Sequence, residues 1–273
     1  MRFSVRESMV PGADRRARFG FCAGVGIEGI ELRPDVVPAA AEEVRRAARE
    51  TGVQPVLCGA RPGGAALDAR PEERARYMAA VREALDLAAD VGARGVIVLA
   101  TSELKEEPAR PRLPDLSPWM GRHALERELL HAQLRELGPH AARRGVRVII
   151  EPVNRYEQWG PTTVGAAADI CRAAGEGIGV MADFFHMQIE EADVGAAITA
   201  AGPLLCPVHV ADNTRGLPGT GHMDFRPGLR ALRQIAYDGC YGFEGWLPDR
   251  NPAAALRQAM EQLRVLMAEV SGE

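Results

Sequence analysis

Lysine is almost absent from this 273-residue chain. Lys105 is the only one, and arginine carries the rest of the basic charge. A Schiff-base aldolase needs an activated lysine, and Leu104-Lys105-Glu106-Glu107 reads as a solvated loop, so that chemistry is set aside. Cys-x-x-Cys pairs are missing as well. The five cysteines, Cys22, Cys58, Cys171, Cys206 and Cys240, are scattered and odd in number, which points to reduced core thiols rather than a disulfide framework. There is no run of about 20 apolar residues and no signal-peptide pattern after Met1-Arg2-Phe3-Ser4-Val5, so a soluble, cytoplasmic protein without a membrane partner is expected. Nor is there an excess of positive charge: the net charge is −4, which argues against a dedicated nucleic-acid binder.

Apolar residues, at 47%, provide for a large core, and with 26% charged residues they exclude a disordered chain. Strand-like and helix-like segments alternate to the end of the sequence, the signature of a parallel sheet with helical crossovers. Strands are expected at Arg2–Val5, Ile27–Leu32, Val53–Cys58 and Gly95–Ala100. Helices are expected near 14–24, 38–51, 71–91, 121–144, 162–175, 191–201, 226–237 and 252–270. In residues 71–91, Tyr77, Val81, Leu85 and Ala88 share one helical face, and Pro71 suits the first turn. Residues 101–120 form a long connection with four prolines, and Trp119 near its end is expected either to cap a barrel mouth or to pack on a helix. No linker or low-complexity segment divides the chain, so residues 1–273 are read as one α/β domain, a (β/α)8 TIM barrel.

Four potential metal ligands recur at the spacing of such a barrel's strands. Glu151, Asp183, His209 and Glu244 are separated by 32, 26 and 35 residues, against about 30 for one βα unit of a ~250-residue barrel. Each closes a short apolar run, so the four read as the C-terminal ends of strands five to eight, which converge on one mouth. Singly, each is weak evidence, since a lone carboxylate at a strand end is usually solvated. Jointly, three carboxylates and an imidazole make a site for one divalent ion. That donor set suits Mn²⁺, with Co²⁺ or Mg²⁺ as alternatives, better than a thiolate-rich zinc site.

The segments around these residues carry a resemblance. Glu151-Pro152-Val153-Asn154-Arg155-Tyr156-Glu157, Asp183-Phe184-Phe185-His186, His209-Val210-Ala211-Asp212-Asn213-x-Arg215, the glycine turn Pro218–Phe225 and Phe243-Glu244 resemble the motifs of ketose 3-epimerases, the tagatose/psicose 3-epimerase group within the xylose-isomerase-like barrels. The match is specific over about 146–246 and generic before it. Carried over residue by residue, it implies Glu151, Asp183, His209 and Glu244 as metal ligands, and Glu151 and Glu244 also as the proton-transfer pair. Glu157, His186 and Arg215 become substrate-holding residues at the C1–C2 end of a sugar. It implies a small-molecule sugar substrate and a homo-oligomer, dimer or tetramer. One departure stands out: aromatic residues are expected after strand one, where this chain has Arg6-Glu7-Ser8.

The chemistry fits that division of labour. Removing a proton beside a carbonyl requires an enediolate to be stabilised, which a divalent ion does as a Lewis acid. Two carboxylates on opposite sides of a cis-enediolate remove a proton from one face and return one to the other, and the outcome expected is C3 epimerisation of a ketose. A single base on one face gives an aldose–ketose shift instead. Alternatives that keep the metal are a hydroxypyruvate- or inositol-ketone-type isomerase and a lyase or dehydratase acting on a keto sugar. An apurinic endonuclease needs further histidines at the ends of strands three and four, but these end Cys58-Gly59-Ala60 and Leu99-Ala100-Thr101. A non-catalytic sugar-binding barrel has no need of two opposed carboxylates. Arg215 is also a candidate to hold a phosphate. Asn154 and Arg155 are expected to fix Glu157 and its loop, and His222 and Asp224 to order the glycine turn. His123, His131 and His140 read as surface residues.

Overall fold

The computed structural model describes residues 1–60, 64–99, 112–248 and 250–272. Eight parallel strands close on themselves in chain order: β1 (Arg2–Arg6), β2 (Gly29–Leu32), β3 (Gln54–Gly59), β4 (Gly95–Val98), β5 (Arg147–Ile150), β6 (Ile178–Asp183), β7 (Leu205–Val210) and β8 (Cys240–Phe243), with β8 paired to β1. The helices are α1 (Arg15–Val25), α2 (Ala41–Thr51), α3 (Pro71–Val91), α4 (Arg122–Arg143), α5 (Val164–Ala174), α6 (Phe184–Glu190), α7 (Val194–Ala201), α8 (Arg226–Gln234) and α9 (Pro252–Gly272). The expected TIM barrel is thus the observed one. Lys105 and residues 101–111 of the long connection lie outside the described residues.

Local signals explain several boundaries. Asp14 caps α1 by accepting from the amide of Ala17, and α3 begins with Pro71, Glu72 and Glu73 and stops at Gly92, whose φ is +78°. One element escapes the sequence reading. The seven-residue α6 starts directly after β6, with Asp183 as its cap, and the helix expected over 191–201 begins only at Val194. Seven residues make too short a window for helical periodicity to show. Trp119 is 87% exposed, so it does not pack on a helix.

Strand side chains alternate between two faces, and here the two faces have separate fates. Phe3, Val5, Ile30, Leu32, Val148, Ile150, Val180, Ala182, Val208, Val210, Tyr241 and Phe243 point outward into the main core, with helix residues such as Val44, Leu85, Leu134, Leu229 and Leu263. A second, separate apolar cluster of Leu57, Ile149 and Met181 comes from strands alone and fills the barrel's interior. The same inward parity, carried to the C-terminal ends, yields Arg6, Glu31, Glu151, Asp183, His209 and Glu244. All five cysteines are free, and burial pushes the thiols of Cys22, Cys58 and Cys171 up to about 12, as expected of inert core residues.

Candidate metal centre and active site

Glu151, Asp183, His209 and Glu244 meet. Each offers one ligand atom, these atoms all lie within 4.8 Å of one another, and all four residues are buried. Register accounts for the meeting. Asp183 pairs with His209 between β6 and β7, and His209 pairs with Gly242 between β7 and β8, so Glu244 stands just beyond the same level. Glu151 follows the last residue of β5. No other group of three or more possible metal-ligating residues is found among the described residues.

The imidazole of His209 is oriented from across the barrel. Its Nε2 lies 3.0 Å from Glu31 Oε2, on β2, while Nδ1 faces Glu244 Oε2 at 2.9 Å and Asp183 Oδ2 at 3.5 Å. Nε2 therefore carries the proton donated to Glu31. Nδ1 is buried and makes no hydrogen bond of acceptable geometry. A buried, unpaired imidazole nitrogen aimed at three carboxylates is what a divalent ion would satisfy, and the donor set fits one. Gly242 makes room for the arrangement, since a Cβ there would run into Glu31 Oε1 and lie 2.9 Å from the His209 ring.

Charge in the cluster is distributed unequally. Burial raises the Glu151 carboxyl to about 7, with His209 opposing and Asp183 reinforcing the rise. Burial also works against the Asp183 carboxylate, but Arg215, His209 and His186 outweigh it and hold that group below the usual range. His209 would be discharged by burial alone, yet Glu31 and Asp183 lift it to about 10, so Nδ1 carries a proton that a divalent ion would displace. Arg215 donates to Asp183 Oδ2 at 2.9 Å and to Glu244 Oε2 at 2.6 Å, and its guanidinium lies 4.6 Å from the Phe185 ring centre. The Arg215 side chain is thus turned inward among the carboxylates rather than outward as an isolated phosphate holder.

Its backbone is held just as firmly. Arg215 adopts φ +59°, its amide donates to the Asp212 carbonyl, and its own carbonyl accepts from Trp246. A side chain at Gly245 would strike that carbonyl. The turn rests on buried Asp212, whose carboxylate accepts from the amides of Asn213, Gly219 and Met223. His222 bonds Asn213 and Asp224 bonds Arg226, so both serve the loop.

His186, on α6, lies beside this cluster. Its Nδ1 accepts from the backbone and side-chain amides of Asn154, at 3.3 and 2.8 Å, which leaves the proton on Nε2, 3.8 Å from Glu151 Oε1. Burial, aided by Arg215, holds the ring below its ordinary pKa and so neutral. Asn154 also donates to Glu157 Oε1 at 2.8 Å, and Arg155 clamps Glu190 of α6. Glu157 itself is half exposed, 3.9 Å from His186 Nδ1. Of the remaining histidines, His123 is exposed, as expected, and bonds buried Glu126, whereas His140 is partly buried and bonds Asp86.

Sequence reasoning missed two residues here. Glu31 is buried in a four-residue strand that is buried throughout, and a charge so placed requires a partner. That was the available signal, although its partner lies 178 residues away. Arg6 stands in the sequence only as a departure from the family pattern. The register Val5↔Phe243 sets it next to Glu244, and its Nη1 is ion-paired to Glu244 Oε1.

The model of the family described as xylose isomerase-like TIM barrel matches residues 19–266. The chain belongs to that family. A 3-dehydro-D-guloside 4-epimerase of Escherichia coli K12 is 32% identical over 255 residues, 90% of this chain and 93% of that protein. A D-psicose 3-epimerase of Agrobacterium fabrum is 38% identical, but over 96 residues, 35% of this chain and 33% of that protein. Among solved structures, a 3-keto-D-glucoside 4-epimerase from E. coli superposes with a TM-score of 0.85 at 28% identity, covering 97% of this chain and 99% of that one. These family members are sugar epimerases, enzymes of the isomerase class. No helix among the described residues is long and apolar enough to cross a membrane.

Proposed function

We propose that the chain is a divalent-metal-dependent epimerase of keto sugars that inverts the hydroxyl-bearing carbon next to the carbonyl. The observation that carries this reading is the convergence of Glu151, Asp183, His209 and Glu244 around the unpaired Nδ1 of His209. These four would hold the ion, with Mn²⁺ as first choice and Co²⁺ or Mg²⁺ as alternatives. Once bound, it would supply Lewis acidity to the carbonyl and the neighbouring hydroxyl.

The chain's own residues do the rest. Glu151 and Glu244 leave β5 and β8, three strands apart, and so approach a substrate from two sides. One takes the proton from the carbon beside the carbonyl and becomes a carboxylic acid. The other gives its proton to the opposite face, and the configuration inverts. The Nε2–H of His186 and the guanidinium of Arg215 donate to substrate oxygens. Glu157 accepts from a hydroxyl, kept in place by Asn154.

Two carbonyl positions satisfy this geometry. The relative that spans nearly the whole chain acts, by its name, as a 4-epimerase on a 3-dehydro sugar, which favours proton exchange at C4 of a 3-keto glycoside. The motifs around Glu157, His186 and Arg215, with the partial match to ketose 3-epimerases, support the second reading, exchange at C3 of a ketose. A homo-oligomer, dimer or tetramer, is proposed on the family resemblance. Incubation in D₂O with 3-keto glycosides and free ketoses, followed by NMR, tests the reading. Deuterium at the carbon beside the ketone, with both epimers formed, is the expected result. Deuterium at C1 with an aldose product, or release of water or an aglycone, would replace epimerisation by isomerase or lyase chemistry.

A further inference from the structure

Among the described residues, Arg6 is a partly exposed cation at the mouth that touches a candidate proton-transfer carboxylate and has donors to spare. Around the C-terminal ends of β1 and β2, Arg15 is paired with Glu7 and Glu43, Arg18 with Glu7, and Arg33 with Asp35 through two bonds. Arg215 uses both terminal nitrogens on Asp183 and Glu244 and stacks on Phe185. Arg6 has a single partner among the described residues, Glu244 Oε1, and its side chain is 42% exposed where that of Glu244 is 10% exposed. Its guanidinium therefore stands between a candidate proton-transfer carboxylate and the open mouth. Four of its five N–H groups are left for another acceptor. The resemblance leads one to expect aromatic residues after strand one, which would pack on neutral sugar carbons; this chain presents a planar cationic fork instead.

We propose that Arg6 determines specificity for an anionic substrate, a keto sugar carrying a carboxylate, held through the free edge of the guanidinium. The inference rests on the keto-sugar reading above and names its substrate class. A guanidinium bonds a carboxylate through two parallel N–H···O contacts, which a single hydroxyl cannot reproduce. Arg6 also touches Glu244, so replacing it is expected to slow every substrate. The discriminating quantity is accordingly the ratio of kcat/KM between a carboxylate sugar and its neutral counterpart.

Two matched pairs serve: D-tagaturonate with D-tagatose, and methyl 3-keto-β-D-glucuronide with methyl 3-keto-β-D-glucoside. Exchange of the carbon-bound proton in D₂O gives kcat/KM, and calorimetric titration of the metal-loaded protein gives affinity. The native protein should prefer the carboxylate member by roughly ten- to hundred-fold, the range of one charge-assisted hydrogen bond. Arg6→Ala and Arg6→Tyr should erase that preference, mainly through KM, and Arg6→Lys should keep part of it. Equal handling of both members by the native protein, or variants that slow both equally, would overturn the inference and leave Arg6 acting only through Glu244. Absence of calorimetric binding by either carboxylate member would also overturn it. Preferential binding without exchange would sustain the role of Arg6 and instead defeat the epimerase reading.

Discussion

The two nitrogens of His209 have different duties. Nε2 spends its proton on Glu31, so Nδ1, facing Asp183 and Glu244, is the nitrogen that can exchange its own proton for an ion. Partners of this kind typically carry 10- to 100-fold in metal affinity. Glu31→Ala is therefore expected to weaken metal binding by roughly that factor, while Glu31→Gln, which can still accept through its amide oxygen, keeps most of it. Competition against a chelating dye measures both, and unchanged affinity in Glu31→Ala would mean that β2 does not orient the ring. The two glutamates of the proposed proton relay make a second prediction. Glu151→Gln and Glu244→Gln should each lower turnover by at least ~10², the low end for positioned acid–base catalysis. Both residues are also candidate ligands, so metal content is measured alongside. A variant that keeps its metal and most of its activity rules out the two-acid mechanism.

At the scale of elements, the period-two alternation of strands places the site. It sends Ile150, Ala182, Val208 and Phe243 outward to the core and Glu151, Asp183, His209 and Glu244 inward. This half of the barrel was legible in the sequence because an apolar run ending in a ligand is a local pattern. Glu31 and Arg6 were not legible in the same way, since each finds its partner only through barrel closure, by β2 facing β7 and β1 pairing with β8. The short α6 escaped because Asp183 has two roles. Its Oδ1 caps the helix by accepting from the amides of Phe185 and His186, while Oδ2 faces the cluster. The two roles separate by mutation: Asp183→Asn should keep the cap and lose metal affinity, whereas Asp183→Ala should lose both, with an added destabilisation of about 0.5–2 kcal/mol. Chelator competition and thermal unfolding read the two effects. Gly242→Ala probes β8 in the same way. Its added methyl must displace Glu31 or His209, which predicts a loss of about 1–3 kcal/mol in stability together with weaker metal binding. A variant with native melting temperature and native affinity would show that the Glu31–His209 contact tolerates the intrusion.

Over the whole molecule, the four candidate ligands come from four consecutive strands of a closed sheet, so an ion held by them would tie β5, β6, β7 and β8 together at the mouth. Anything bound only by the folded state stabilises it, by about 2.7 kcal/mol at a hundred times Kd. In a domain of this size each kcal/mol moves the melting temperature by about 2–4 °C. Mn²⁺ at that excess should raise it by roughly 5–10 °C, and a chelator should reverse the shift. The most direct measurement couples occupancy to chemistry. Protein stripped with chelator is reloaded in steps with Mn²⁺, and deuterium incorporation beside the carbonyl of an accepted keto sugar is followed at each step. Exchange should be absent in the stripped protein, rise in proportion to the ion bound and level off at one ion per chain. Exchange without metal, or a plateau reached only at two ions per chain, would contradict a single centre built from Glu151, Asp183, His209 and Glu244.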